Sequence, residues 1–212
     1  MQFDIITIFP HIFDSYFGES ILKRAQEKKL ISIHIHHLRA WTSDKHRTVD
    51  DRPYGGGPGM ILKVEPIAKA LRAIKRKKKS RVILLDPAGK QFSQRMAKKY
   101  SKLDQLIFIC GRYEGFDDRV KKYVDEKVSI GPYVLSGGEL GAMVMLEAVA
   151  RLEAGVLGNA ESLQEESHFT EGYIEYPQYT RPEVFEGRRV PSILLSGDHK
   201  KIEKWQSKKR RS

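Results

Sequence analysis

Three glycine-rich segments carry the residue types best able to form a ligand site: Gly55-Gly56-Gly57-Pro58-Gly59, Gly111-Arg112-Tyr113-Glu114-Gly115 and Ser136-Gly137-Gly138-Glu139. Each falls at or just after a predicted strand end, where α/β sheets bind ligands and where glycine lets the main chain approach one closely. They are candidates for one shared pocket, although tight turns call for the same residues. The first lacks the Gly-Lys-Ser/Thr ending of a phosphate-binding loop, and no Gly-x-Gly-x-x-Gly opens a helix, which argues against nucleotide hydrolysis and a standard dinucleotide fold. No Gly-x-Ser-x-Gly elbow occurs, and Cys110, the single cysteine, sits in an apolar run where a thiol is a small hydrophobe. His34 and His36 share a strand face, with His37 beside them, but no cysteine or well-spaced carboxylate accompanies them. They read as solvent-facing polar residues, and no protein-held metal is assigned.

The elements that would position these loops alternate in type. Phe3–Phe9 is an apolar, β-branched strand stopped by Pro10, and Ser20–Lys29 is helical. Ile31–His36 alternates strictly, as a half-exposed strand does. Glu65-Pro66 opens a helix whose apolar spacing runs through Ile67, Ala70, Leu71 and Ile74 into a basic cluster. Strands follow at Arg81–Leu85, Leu106–Cys110 and Lys127–Ile130, separated by helices at Ser93–Tyr100 and Asp117–Tyr123. A mostly apolar helix spans Gly138–Leu152. Strands alternating with helices predict an α/β fold with a mostly parallel sheet covered on both faces. The composition turns acidic after Gly158, with Glu161, Glu165, Glu166 and Glu171 close together, and then rich in Tyr and Pro. We therefore divide the chain into a domain at 1–158, a linker at 159–172 and a small segment at 173–212.

Among the 212 residues the formal charge is +11, and much of the excess lies at residues 72–81 and 208–211. Such clusters favour a polyanionic partner, since Lys and Arg displace counterions from phosphates, although solvated surface accounts for many charge runs. No apolar run is long enough to span a bilayer and no signal segment opens the chain, so no membrane is expected, and the lone cysteine fits a reducing cytoplasm.

Four longer motifs sharpen this picture. Asp51-Arg52-Pro53-Tyr54-Gly55-Gly56-Gly57-Pro58-Gly59-Met60, Cys110-Gly111-Arg112-Tyr113-Glu114-Gly115, Ser129 through Leu140, and Tyr179-Thr180-Arg181-Pro182-Glu183 resemble, in content and order, those of the bacterial tRNA (guanine-N1)-methyltransferases. The resemblance runs from the Phe3 strand to about Trp205. It implies a SPOUT-type α/β domain containing a deep trefoil knot, a small C-terminal helical domain that grips the tRNA anticodon arm, and a homodimer with a shared active site. It also implies S-adenosylmethionine as methyl donor, held by Leu84, Leu85, Pro87, Gly111, Tyr113, Glu114, Ile130, Gly131, Pro132, Tyr133, Val134, Leu135, Gly137 and Gly138. Family members usually carry serine where this chain has Asp86. A free magnesium ion is compatible with the resemblance.

Methylating N1 of guanine needs a base for its proton and a cation near O6, where negative charge grows. Arg151 matches the family arginine. The family's aspartate base lies in an Asp-Ser-Phe triplet, whereas this linker reads Gln164-Glu165-Glu166-Ser167-His168-Phe169. Counting without a gap puts Ser167 at that position. Treating His168 as an insertion restores the triplet as Glu166-Ser167-Phe169, and Glu166 is the residue we assign, with His168 the next candidate. Glu175 matches a further acidic position. The C-terminal segment reads as shortened, and Lys75–Lys79 is expected to compensate in tRNA binding. The competing reading is a non-catalytic RNA-binding protein retaining the fold. A ribosomal RNA methyltransferase fits the Tyr-Thr-Arg-Pro motif less well.

Overall fold

Phe3, Ile5, Ile6, Ile83, Leu84, Leu106, Ile107 and Phe108 are all almost fully buried, the pattern of strands covered on both faces. In the computed structural model, which describes residues 1–158, 166–168 and 172–210, they form the centre of a five-stranded sheet. In chain order, the strands are β1 (Gln2–Thr7), β2 (Ser32–His37), β3 (Asp50–Asp51), β4 (Ile61–Leu62), β5 (Ser80–Gln91), β6 (Gln105–Ile109), β7 (Glu126–Ser129), β8 (Val184–Phe185) and β9 (Arg188–Arg189). The helices are α1 (Asp14–Phe17), α2 (Ser20–Glu27), α3 (Val64–Ala73), α4 (Gln94–Tyr100), α5 (Glu139–Ala150), α6 (Ser192–Leu195) and α7 (His199–Lys209).

The sheet runs β2-β1-β6-β5-β7, and every neighbouring pair is parallel. Successive side chains of β5 point to opposite faces. Ile83 and Leu85 join a cluster with Met96, Tyr100, Leu146 and Val149 of α4 and α5, whereas Val82 and Leu84 join Ile67, Ala70 and Leu71 of α3. Helices thus cover both faces, as the alternation of elements predicts. Burying each of these aliphatic side chains contributes roughly 1.5–3 kcal/mol. Ser93 opens α4 by accepting a hydrogen bond from the Met96 N–H, which satisfies one of the donors left free at a helix start.

Three expectations are corrected. The helix opened by Glu65-Pro66 does not continue into the basic cluster: α3 stops at Ala73, and Ile74 is extended. The reason is a long-range partner, Gln105, whose buried side-chain amide accepts from the Lys77 N–H at 2.8 Å and donates to the Lys75 carbonyl at 3.3 Å, drawing residues 75–79 away from a helical path. The β5 strand is longer than predicted, because residues 86–89 loop out and Lys90 and Gln91 rejoin β7 at Val128 and Ser129. His36 is not simply solvent-facing: its Nε2 lies 2.7 Å from Oδ1 of Asp4, which is 2% exposed.

Residues 1–158 form one compact unit and residues 159–212 another. In the second, β8 and β9 pair as a hairpin whose turn residues Glu186 and Gly187 both have positive φ, as a two-residue turn of this hand requires. Asp198 caps α7 by accepting from the Lys201 N–H at 3.1 Å, and the rings of Tyr179 and Trp205 lie 6.4 Å apart. Among the described residues, no helix is long and apolar enough to cross a membrane.

Candidate active site

Beyond the carboxyl ends of β5, β6 and β7 lies an open cavity of about 390 Å³, walled by the three loops that leave those strands. Leu84, Leu85 and Pro87 line it from β5, Gly111, Tyr113 and Glu114 from the loop after β6, and Ile130, Tyr133, Val134, Leu135, Gly137 and Gly138 from the loop after β7. Gly131 and Pro132 belong to that last loop but do not line the wall. The volume falls in the range of pockets for small organic ligands. Two of the three glycine-rich segments therefore meet in one place.

The third segment does not line the cavity. Gly55–Gly59 forms the tip of the β3–β4 hairpin, and Gly55, Gly56, Gly57 and Gly59 all have positive φ. It is tied to the site from behind: the Glu114 N–H donates to the Met60 carbonyl at 2.9 Å, and the Leu62 N–H to the Gly115 carbonyl at 2.9 Å. A side chain at Gly59 would meet the Glu114 side chain at 2.6 Å. The hairpin and the loop after β6 thus set each other's path.

Close approach of main chains explains Gly138. A methyl group there would lie 2.9 Å from both the Cys110 Cα and the Gly111 nitrogen, closer than packed atoms tolerate, and the Gly138 N–H donates to the Gly111 carbonyl at 2.9 Å. Tyr113 holds a left-handed backbone at φ 58°, a conformation that non-glycine residues adopt rarely and often at functional loops.

A buried ionic network, not anticipated from sequence, ties these loops to the sheet. Glu139 opens α5 and is 1% exposed. Its Oε1 accepts from the Thr7 hydroxyl at 2.8 Å and its Oε2 from Arg112 Nε at 3.0 Å, while Thr7 Oγ1 accepts from the Phe9 N–H at 3.0 Å. The Arg112 guanidinium also lies 4.6 Å from the centre of the Phe9 ring. One carboxylate therefore joins the end of β1, the loop after β6 and the start of α5. The sequence signal was a carboxylate leading a mostly apolar helix. Cys110 sits beside this network, and burial first, then the Glu139 charge, push its thiol well above its ordinary pKa. At 2% exposure it packs as a small hydrophobe.

Asp86 turns to Lys127, with which it forms an ion pair, and accepts from the Ala88 N–H at 2.8 Å, pinning the looped-out residues 86–89. Arg151 ends α5, its N–H donating to the Glu147 carbonyl at 3.0 Å. In the second unit, Ser167 Oγ accepts from the Glu175 N–H at 3.0 Å and the His168 N–H donates to the Tyr173 carbonyl at 2.7 Å, so Ser167 and Glu175 lie side by side. Glu166 is partly buried in the same short segment. Gln164, Glu165 and Phe169 of the linker motif lie outside the described residues.

A parallel sheet with a loop-walled cavity beyond its strand ends defines an α/β protein built to bind a small organic ligand there. The chain is more closely placed by comparison: it belongs to the family described as tRNA (Guanine-1)-methyltransferase TrmD, whose profile matches residues 1–212. It is similar to a protein of Dictyoglomus turgidum named tRNA (guanine-N(1)-)-methyltransferase, with 56% identity over 98% of this chain and 84% of that one. Proteins of the same name from a Geobacter species and from Enterococcus faecalis are 53% and 51% identical, each over 98% of this chain, and over 84% and 85% of their own lengths.

Proposed function

We propose that the chain is a tRNA (guanine-N1)-methyltransferase that methylates the guanosine immediately 3′ of the anticodon, position 37, with S-adenosylmethionine as donor. The carrying observation is the cavity beyond β5–β7, walled by the same motifs that mark the family, in a chain that is half or more identical to proteins of that name. The donor would supply an electrophilic methyl carbon. The residues present suit it: Leu85, Ile130 and Leu135 offer an apolar wall, while Gly111, Gly137 and Gly138 leave main-chain groups within reach of a bent adenosine.

Within this reading, the loops orient the donor and keep water from the methyl carbon. Glu166 would take the proton from N1 of the guanine, and the freed lone pair would bond to the methyl carbon as the donor's carbon–sulfur bond breaks, its electron pair leaving with sulfur as a neutral thioether. Arg151 faces the negative charge growing at O6. In this reading Glu175, whose N–H donates to Ser167 Oγ, assists. The knot belongs to the same reading, with which the close main-chain approach of Gly138 to Cys110 and Gly111 is compatible. So do residues 159–172 as a linker carrying the base, 173–212 as a tRNA-binding segment with basic α7, and a cytoplasmic location.

A homodimer is supported by exposed apolar side chains on α5 and on the cavity loop. Leu140 and Val144, one helical turn apart on α5, are 53% and 49% exposed, and Val134 on the cavity loop is 82% exposed. Apolar side chains grouped in this way call for a partner surface, and a second copy supplies one at the shared site.

The test is methyl transfer to a tRNA transcript by wild type and by Glu166→Gln, alongside donor titration. A fall of about 10²-fold or more in turnover with donor affinity retained is expected for loss of a general base. Full activity in the variant moves the base to another residue. No transfer by wild type, despite donor binding, leaves a non-catalytic RNA-binding protein, and transfer in the presence of a chelator reports whether free magnesium takes part.

A further inference from the structure

The strongest surface feature outside the cavity lies at the opposite end of the sheet. Lys29 precedes β2, Lys75–Lys79 precede β5 and Lys102 precedes β6, so all flank the amino ends of parallel strands whose carboxyl ends carry the cavity. All are exposed. Lys29 and Lys77 line a single open cavity of about 430 Å³ together with Gln26 and Ser32, which brings the α2–β2 turn and the lysine loop onto one surface. A five-residue strand at about 3.3 Å per residue puts roughly 17 Å between this surface and the ligand cavity.

The loop is built rather than frayed. Gln105, fully buried, accepts from the Lys77 N–H, donates to the Lys75 carbonyl, and donates to Asp4 Oδ2 at 2.8 Å, while the Lys79 carbonyl accepts from the Asp104 N–H at 2.8 Å. Apart from the Arg76 side chain, the loop is anchored through its main chain, so the lysine side chains are left to solvent. Arg76 is spent on Asp125 and Ser80. Among the described residues, Lys75, Lys77, Lys78 and Lys79 enter no ion pair, the exposed acid Asp125 being taken by Arg76 and Asp104 meeting the loop through its main-chain N–H. A fixed row of unpaired ammonium groups suits a row of phosphates, because its lysines lose less freedom on binding than those of a mobile tail.

We propose that Lys29 and the Lys75–Lys79 loop form a second RNA contact surface, which engages the phosphate backbone of tRNA outside the anticodon arm. This rests on the proposed function for the identity of the RNA. A nucleotide seated in the cavity lies at the other end of the sheet, so the phosphates reaching this surface are not those flanking the target nucleotide.

The experiment compares wild type with a variant combining Lys75→Ser, Lys77→Ser, Lys78→Ser and Lys79→Ser, which keeps the main-chain anchors. Binding of full-length tRNA transcript and of an isolated anticodon stem-loop is measured across salt concentrations, with donor affinity and thermal unfolding as controls for folding. Each phosphate contact contributes about 0.7–0.9 to the slope of log K against log salt, so loss of all four lysines should take about 3–3.5 from the slope with full-length tRNA and nothing with the stem-loop. An unchanged slope with full-length tRNA overturns the surface, and an equal loss with the stem-loop overturns its placement outside the anticodon arm. If the unchanged slope is accompanied by lost binding to phosphatidylserine vesicles, the surface is a membrane contact instead. Failure of methyl transfer by wild type would leave these binding results standing and strike only the enzymatic reading.

Discussion

Replacing Glu139 by Gln tests whether the buried network behind the cavity sets the shape of its loops. The substitution keeps size and retains one acceptor for the Thr7 hydroxyl, but turns an amide donor toward the Arg112 Nε donor now 3.0 Å from a carboxylate oxygen. Breaking a fully buried ion pair costs about 3–5 kcal/mol, and a charge-assisted hydrogen bond contributes about 1.5–3 kcal/mol. The Arg112 side chain is 21% exposed against 1% for Glu139, so the stranded guanidinium can turn partly to water. The lower range applies, and about 2 kcal/mol is the expected loss, or roughly 4–8 °C in Tm for a domain of this size. The same change unties Arg112 from the start of α5, and Arg112 is bridged to Gly137 on the cavity wall. Donor binding should therefore weaken about tenfold, the equivalent of about 1.4 kcal/mol. Thermal unfolding followed by circular dichroism and calorimetric titration of S-adenosylmethionine read the two effects separately. A lower Tm with unchanged donor affinity would confine the network to stability; if neither moved, the buried ion pair would have no net worth and the reasoning would be wrong.

Two further substitutions probe the frame of the site. Gly138→Ala places a methyl group 2.9 Å from two main-chain atoms of the loop after β6, neither of which can rotate away, so donor affinity should fall by at least tenfold; calorimetry giving wild-type affinity would show that the crossing is slack. For Asp4, burial alone would raise the carboxyl pKa, but hydrogen bonds from His36, Gln105 and Gln2 outweigh it and hold it below its ordinary value of 3.8. A depressed folded-state pKa contributes stability that is present above the unfolded value and lost as pH falls through the folded one. Wild-type unfolding free energy should therefore be insensitive to this group from pH 7 to 5 and decline below about pH 4. Asp4→Asn should be less stable at pH 7 and flatter below pH 4 in urea titrations, and parallel curves for the two proteins would rule Asp4 out as the acid-sensitive group.

What was legible in the chain and what was not divide along one physical line, the sequence separation of partners. Leu106–Cys110 reads as a buried strand because burial on both faces leaves no polar alternation, and Ser93 reads as a helix start because its hydroxyl meets the Met96 N–H within one turn. These are local facts. The end of α3 is not: the apolar spacing through Ile74 continues the helical period, and only Gln105, 28 residues beyond Lys77, stops it. His36 reads as solvent-facing until Asp4, 32 residues away, is brought beside it by the β1–β2 pairing. Glu139 is the most distant case, since its Thr7 partner lies 132 residues earlier. Within its motif it reads as part of a turn, and nothing local distinguishes a carboxylate awaiting a ligand from one already committed to the frame. The glycine loops illustrate the same division, for their flexibility was evident but not which of them would share a wall. Gly111 and Gly138 meet because β5, β6 and β7 are neighbours in the sheet, whereas Gly55–Gly59 belongs to a separate hairpin and reaches the site only through Met60 and Glu114. A polar residue in such a sheet protein is therefore assigned a chemical role only after its long-range partners are known. By that standard Glu139 and Gln105 are committed to the frame at the two ends of the sheet, and no substrate role is assigned to either.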